Sequence, residues 1–226
     1  MNSHRILDAV WWMCDELARR EGDVANVLWS VDSLMREASG CILASQVPHA
    51  MAVAALERLA EGRLLPPTRR ARFQSLIATA LRSPLSAGYP RAYRFPQQAA
   101  QRLVRLASVA EQVADIVLHG EDIGTARRDL TALGCGLGAK QASLLLRNVR
   151  AGVELAVLDV HLLAFMRVAG LTTAVKVPPA LARYENLEDR FRTYAYGLRV
   201  PMHRLDRAAW IVMRAARGEK EIAWAS

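Results

Sequence analysis

Lysine is nearly missing from this chain. Of its 30 basic residues only Lys140, Lys176 and Lys220 are lysines, against 27 arginines. An amine therefore stands out, because it can act as a nucleophile where a guanidinium, charged at any working pH, cannot. Cysteine is scarce as well. Cys14, Cys41 and Cys135 are scattered, with no C-x-x-C pair, so neither a zinc site nor a disulfide framework is expected, and free thiols fit a reducing compartment. No apolar run approaches the ~18 residues of a membrane span, and the N-terminus has no charged start followed by an apolar stretch. These absences lead us to expect a soluble, cytoplasmic protein with no membrane partner. Internal repeats, low-complexity tracts and flexible linkers are lacking too, which favours one domain over residues 1–226 built from two helical lobes.

What the chain does have is apolar content. With 226 residues, 52% of them hydrophobic, it is long enough and greasy enough for a packed core, which excludes a disordered class. Its formal charge of +8 favours a polyanionic partner. The same excess would follow from the arginine-rich coding of a GC-rich genome, so charge alone leaves the partner open.

Apolar residues recur at three- and four-residue spacing almost throughout, and strict alternation is nearly absent, so the fold class is all-α. The first helix places Ile6, Val10, Met13 and Leu17 on one stripe and stops at Gly22. A second helix is expected in residues 24–40. Pro48 should mark a turn before a third that begins near His49. The stretch from Leu64 to Arg82 opens with prolines suited to a helix start, and 83–96 reads as a loop. A single long helix is expected from 97 to Gly120, then a short one in 123–134, one from about Lys140 to Asn148, one from Val160 to Val168, and two amphipathic helices in 184–200 and 202–218.

The most informative stretch is "ALGCGLGAKQASLLLRN". Gly134, Gly136 and Gly138 interrupt a helix that restarts at once, which reads as a tight helix–helix turn. Glycines at this density permit positive φ and close approach of another molecule, and the restarting helix offers unpaired N–H groups that suit a phosphate. A glycine-rich turn of this kind serves structure alone in many proteins, but here a rare lysine follows it directly.

The run "GLGAKQA" resembles the helix-hairpin-helix of DNA glycosylases in the endonuclease III superfamily, with Gly136, Leu137, Gly138, Lys140 and Ala142 matching the pattern. "LAVLDVHLLAFMRVAGL" is similar to the superfamily segment that carries an aspartate, and Asp159 lies 19 residues beyond Lys140, as in members that process 8-oxoguanine. "KQASLLLRN", "YRFPQQAAQRL" and "LDRAAW" look most like the archaeal-type 8-oxoguanine DNA glycosylases, and "CILASQVPHAMAVAALERL" like the superfamily's early helix. The resemblance covers roughly Cys41 to Gly218; the first 40 residues carry no matching motif. It implies two helical lobes with a cleft between them and a glycosylase that is also a lyase, acting as a monomer on double-stranded DNA with a damaged base.

In that reading Lys140 is the attacking amine and Asp159 stabilises the cationic sugar; in an arbitrary protein an aspartate placed like Asp159 is more often simply a helix N-cap, and both roles can hold together. Gly136 and Gly138 would meet the DNA backbone. His161 resembles a phosphate-contacting histidine, with capping or surface placement as the alternative, and Gln46 would contact the orphaned base or simply end a helix. The extruded base needs a stacking wall, for which Trp210 is the candidate, set against core packing among Leu205, Ala209, Ile211 and Val212. No cofactor and no metal are expected, since three dispersed cysteines cannot supply the four-cysteine iron–sulfur loop of the endonuclease III branch. Some archaeal-type relatives read the oxidised base with a C-terminal lysine, whereas Lys220 here is followed by "EIAWAS". Two other readings therefore stay open: a non-catalytic hairpin DNA binder, and the same imine chemistry on another modified base or on RNA.

Overall fold

A computed structural model describes residues 3–20, 28–68 and 72–218. Among these residues it holds eleven α-helices and no strand beyond one isolated bridge between Ser86 and Tyr89. None of the helices is long and apolar enough to cross a membrane. The chain divides into two compact units: Met1–Asn26 with Ala151–Ser226, and Val27–Arg150.

The continuous unit holds α2 (Val31–Leu43), α3 (His49–Glu61), α4 (Phe73–Arg82), α5 (Pro96–Ser108), α6 (Ala110–His119), α7 (Ile123–Ala132) and α8 (Ala139–Val149). Its centre is α2, which packs on α3, α5, α6 and α8. Leu34, Met35, Ala38, Ile42 and Leu43 are fully enclosed there. Ser30 starts α2 with a reciprocal cap, its hydroxyl accepting from the Ser33 amide while the Ser33 hydroxyl accepts from the Ser30 amide. As expected, the chain turns between α2 and α3 at Pro48.

Three expectations about this unit need correction. The second helix does not run over 24–40: residues 28–30 are not helical, and α2 starts at Val31 behind the Ser30 cap. Residues 97–120 do not form one helix but break at Val109. There the Ser108 hydroxyl binds the Arg105 carbonyl, the Val109 amide bonds Leu106 three residues back, and Val109 leaves helical geometry at φ −124°. Nor do Pro66 and Pro67 open a helix. The fourth helix begins only at Phe73, after Arg72 in the left-handed region.

The other unit pairs α1 (Ser3–Arg20) with α9 (Val160–Val168), α10 (Leu181–Gly197) and α11 (Met202–Ala216). α1 packs along α11 and touches α9, burying Ile6, Val10, Cys14 and Leu17. Cys14 rather than Met13 completes the stripe, since Met13 is only half-buried. The motif-free N-terminal helix thus completes this unit's core, whose centre holds Phe165 edge-on to Phe191 at 6.4 Å. The expected helix end at Gly22 lies outside the described residues, as does Lys220.

Candidate active site

In the continuous unit, α7 and α8 are joined by a turn in which Gly134 has φ +62° and Gly136 φ +97°. Only glycine adopts the second without strain. Gly136 has a further reason to lack a side chain, because a Cβ there would fall 2.7 Å from Cδ of Arg102, whose stem crosses the turn from α5. Gly138 differs. It is the N-cap of α8 with φ −71°, a backbone any residue adopts, and it supplies no side-chain cap. The first bond of α8 runs from the Ala142 amide to the Gly138 carbonyl, so the amides of Ala139, Lys140 and Gln141 receive no capping side chain. Gly138 itself is exposed. Lys140 is thus the second residue of α8, half-buried at the positive end of the helix.

Helix α2 braces this start. The Asn148 amide donates to the Glu37 carboxylate at 2.6 Å, tying α8 to α2. Cys41, one turn further along α2, lies within the fields of Glu37, Lys140 and Arg147. Burial pushes the Cys41 thiol far up, followed by the charge of Glu37, and burial also raises Cys135 inside the hairpin. At both sulfurs burial disfavours the thiolate, the reactive form of cysteine. Gln46 stands exposed in the turn after α2 with φ +59°, a conformation uncommon for a residue other than glycine.

The other unit assembles a second cluster. Residues 155–158 are buried but not helical, so their backbone amides need partners. They find them on α10 and α11. The Ala156 amide donates to Glu188 at 2.9 Å, the Val157 amide to Asp206 at 2.7 Å and the Leu158 amide to the Tyr184 hydroxyl at 2.9 Å; that hydroxyl donates in turn to the Ala156 carbonyl at 2.9 Å. This clamp delivers the chain to Asp159, which caps α9 with one carboxylate oxygen accepting from the His161 amide at 2.8 Å and the Leu162 amide at 2.9 Å. Asp159 is half-buried and keeps a second oxygen beyond those two bonds.

Beside the cap, His161 is buried and stands edge-on to Trp210 of α11 at 6.2 Å between ring centres. The Arg214 guanidinium lies 4.8 Å from the Trp210 ring centre, one turn further along α11. Trp210 remains half-exposed while Leu205, Ala209 and Val212 are buried. Trp210 is thus a supported, partly open ring rather than a core residue. The structure therefore groups Asp159, His161 and Trp210 in one cluster and Gly136, Gly138 and Lys140 in another, with Gln46 in a turn of the same unit as the hairpin. No group of three or more metal-ligating side chains occurs among the described residues.

The clamp residues were missed in the sequence, although a signal was there. Glu188 and Asp206 interrupt the apolar stripes Tyr184, Leu187, Phe191 and Met202, Leu205, Ala209, and a carboxylate on an apolar face asks for a buried partner. Glu37 left no comparable mark.

Comparison with known proteins bears on what these clusters are for. Residues 23–200 match the family model of 8-oxoguanine DNA glycosylase. The chain belongs to that family. Two solved structures share its fold: the 8-oxoguanine DNA glycosylase of Thermotoga maritima, with TM-score 0.67 and 24% identity over 92% of this chain and 90% of that one, and that of Methanocaldococcus jannaschii, with TM-score 0.66 and 20% identity over 95% and 87%. No curated protein matches the sequence. The stretch matched by this helix-hairpin-helix glycosylase family includes α7, the glycine turn and α8.

Proposed function

We propose that the protein is a bifunctional DNA glycosylase and lyase that excises oxidised purine, 8-oxoguanine first among them, from double-stranded DNA. The observation that carries this reading is the placement of Lys140, one of three lysines in the chain, at the open N-terminus of α8 directly behind the glycine hairpin. In the proposed reaction the uncharged Lys140 amine forms a bond from Nζ to the anomeric carbon while the glycosidic C–N bond breaks. The departing base takes the bonding electrons and is then protonated. Loss of the amine proton and opening of the sugar ring give an imine. Abstraction of a proton from the neighbouring sugar carbon then expels the 3′ phosphate by β-elimination.

Asp159 supplies the anion that the oxocarbenium-like sugar requires, with its orientation fixed by the α9 amides. The uncapped amides of Ala139, Lys140 and Gln141 would receive a DNA phosphate, with Gly136 keeping the turn tight beneath them. His161, expected to contact a phosphate, is instead buried edge-on to Trp210 and would support that ring, Trp210 offers its open surface to the extruded base, and Gln46 meets the strand opposite the lesion.

The test is imine trapping. Borohydride should crosslink the protein to a duplex carrying 8-oxoguanine, and Lys140→Gln should abolish the crosslink and lower base release at least ~1,000-fold. A crosslink that survives in the variant would overturn the role of Lys140. Faster release from a different lesion in a panel of single-lesion duplexes would move the substrate away from 8-oxoguanine.

A further inference from the structure

Along α4 the continuous unit carries a polar groove of about 350 Å³, lined by Arg72, Gln74, Ser75, Thr79 and Arg82, with Gln97 closing it from the start of α5. The lining is notable for its chemistry. It offers two guanidiniums, two amides and two hydroxyls, and no carboxylate. Four exposed arginines elsewhere are matched with acids: Arg19 and Arg20 with Glu16, Arg128 with Asp122, Arg192 with Glu188 and Asp189. In the groove, by contrast, two guanidiniums face a lining that holds no acid.

Its geometry is also fixed. Arg72 is held in the left-handed region at φ +68°, with its carbonyl accepting from the Ser75 hydroxyl at 2.7 Å and the Leu76 amide at 3.0 Å. A strained backbone at a non-glycine residue is the kind of feature that a ligand site retains. Arg72 and Arg82 sit at opposite ends of a ten-residue helix. At 1.5 Å per residue they are about 15 Å apart along its axis, enough to reach separate phosphates of one strand.

We infer that this groove is a second phosphate-contacting surface, which takes the sugar–phosphate backbone of duplex DNA in addition to the hairpin contact. The inference rests on the reading of the protein as a DNA-binding glycosylase. Neither Arg72 nor Arg82 is assigned any part in the base-release chemistry.

The test compares the full-length wild type with two double variants, Arg72→Asn with Arg82→Gln, and Arg72→Lys with Arg82→Lys. Asparagine is chosen at 72 because it tolerates positive φ and caps a helix. Affinity for an 8-oxoguanine duplex is measured across a salt series. Loss of two phosphate contacts should reduce the magnitude of the slope of log K against log salt by about 1.8, and the lysine pair should restore it. An unchanged slope in the neutral pair overturns the inference, as does a loss that the lysine pair fails to rescue while circular dichroism shows the fold intact. A pyrophosphate-induced rise in melting temperature that is lost in the neutral pair, with the DNA slope unchanged, would assign the groove to a free phosphate compound and equally overturn it as a DNA surface. Failure of the enzymatic reading looks different: no base is released by any of the proteins, whereas the slope still falls in the neutral pair.

Discussion

The two clusters hold their candidate groups in opposite ways. Around Lys140 the backbone does the positioning: glycines at φ +62° and +97° turn the chain, and an uncapped helix start presents bare amides. Around Asp159 side chains do it, with Glu188, Asp206 and Tyr184 reaching from two helices to satisfy the amides of 156–158, and the aspartate itself closing the next helix. A backbone-built site is sensitive to any added atom but indifferent to most side-chain chemistry. A side-chain-built site is the reverse, since each polar partner it loses leaves a buried group unsatisfied.

That contrast is sharpened most by changing Asp159, where position and charge can be separated. Asp159→Asn keeps an oxygen able to accept from the His161 and Leu162 amides, so the cap and the melting temperature should hardly move. Base release should nevertheless fall about 100- to 1,000-fold, because a neutral amide does not stabilise a cationic sugar. Asp159→Ala should lose the same activity and about 1 kcal/mol of stability besides. Single-turnover base release and thermal melts on the two variants check this. Equal activity in wild type and Asp159→Asn would leave Asp159 as a cap and nothing more.

Next in size is Gly136→Ala. The methyl group would be forced into positive φ and against the Arg102 stem at 2.7 Å, so a loss of about 2–4 kcal/mol in chemical denaturation is expected. Trimming Arg102 as well, in a Gly136→Ala, Arg102→Ala double variant, should recover the overlap share but not the backbone share, and additivity of the two single losses would break this account. Somewhat smaller is Asp206→Ala, which leaves the Val157 amide buried without its acceptor and should cost about 1–3 kcal/mol. Because the clamp leads into Asp159, its kcat should drop while duplex affinity is retained.

Much of this was legible in the sequence. Helices α8 and α9 were placed to within a residue because glycine and aspartate, residues with strong local preferences at helix starts, stand at their N-caps. The break at Val109 was not, since the apolar spacing runs on through it and only a serine hydroxyl turned onto its own helix interrupts the ladder. Pro66 and Pro67 misled for the opposite reason: proline marks where a helix can begin, not that one must. Within the site, local signals marked Lys140 and Asp159. The clamp depends on partners 26 to 49 residues apart, which no periodicity within one helix can link. The supporting Arg214 on Trp210 was likewise invisible, because an arginine at the end of an amphipathic helix reads as solvated.

The smallest stability change should come from Gly138→Ala, and its smallness is the point. At φ −71° an alanine fits the backbone, and its Cβ would meet nothing closer than Gln141 Oε1 at 3.6 Å. Alanine is a poorer N-cap than glycine, so a loss of under about 1 kcal/mol is expected. If the bare amides behind Gly138 receive a phosphate, however, the added methyl group stands where the strand must approach, and duplex affinity should fall roughly tenfold, or about 1.4 kcal/mol. A variant that melts almost like the wild type but binds DNA tenfold more weakly would separate two neighbouring glycines of one hairpin, Gly136 being required by the protein's own packing and Gly138 by what the protein binds. Unchanged affinity would reduce Gly138 to a turn residue and move the phosphate contact away from the start of α8.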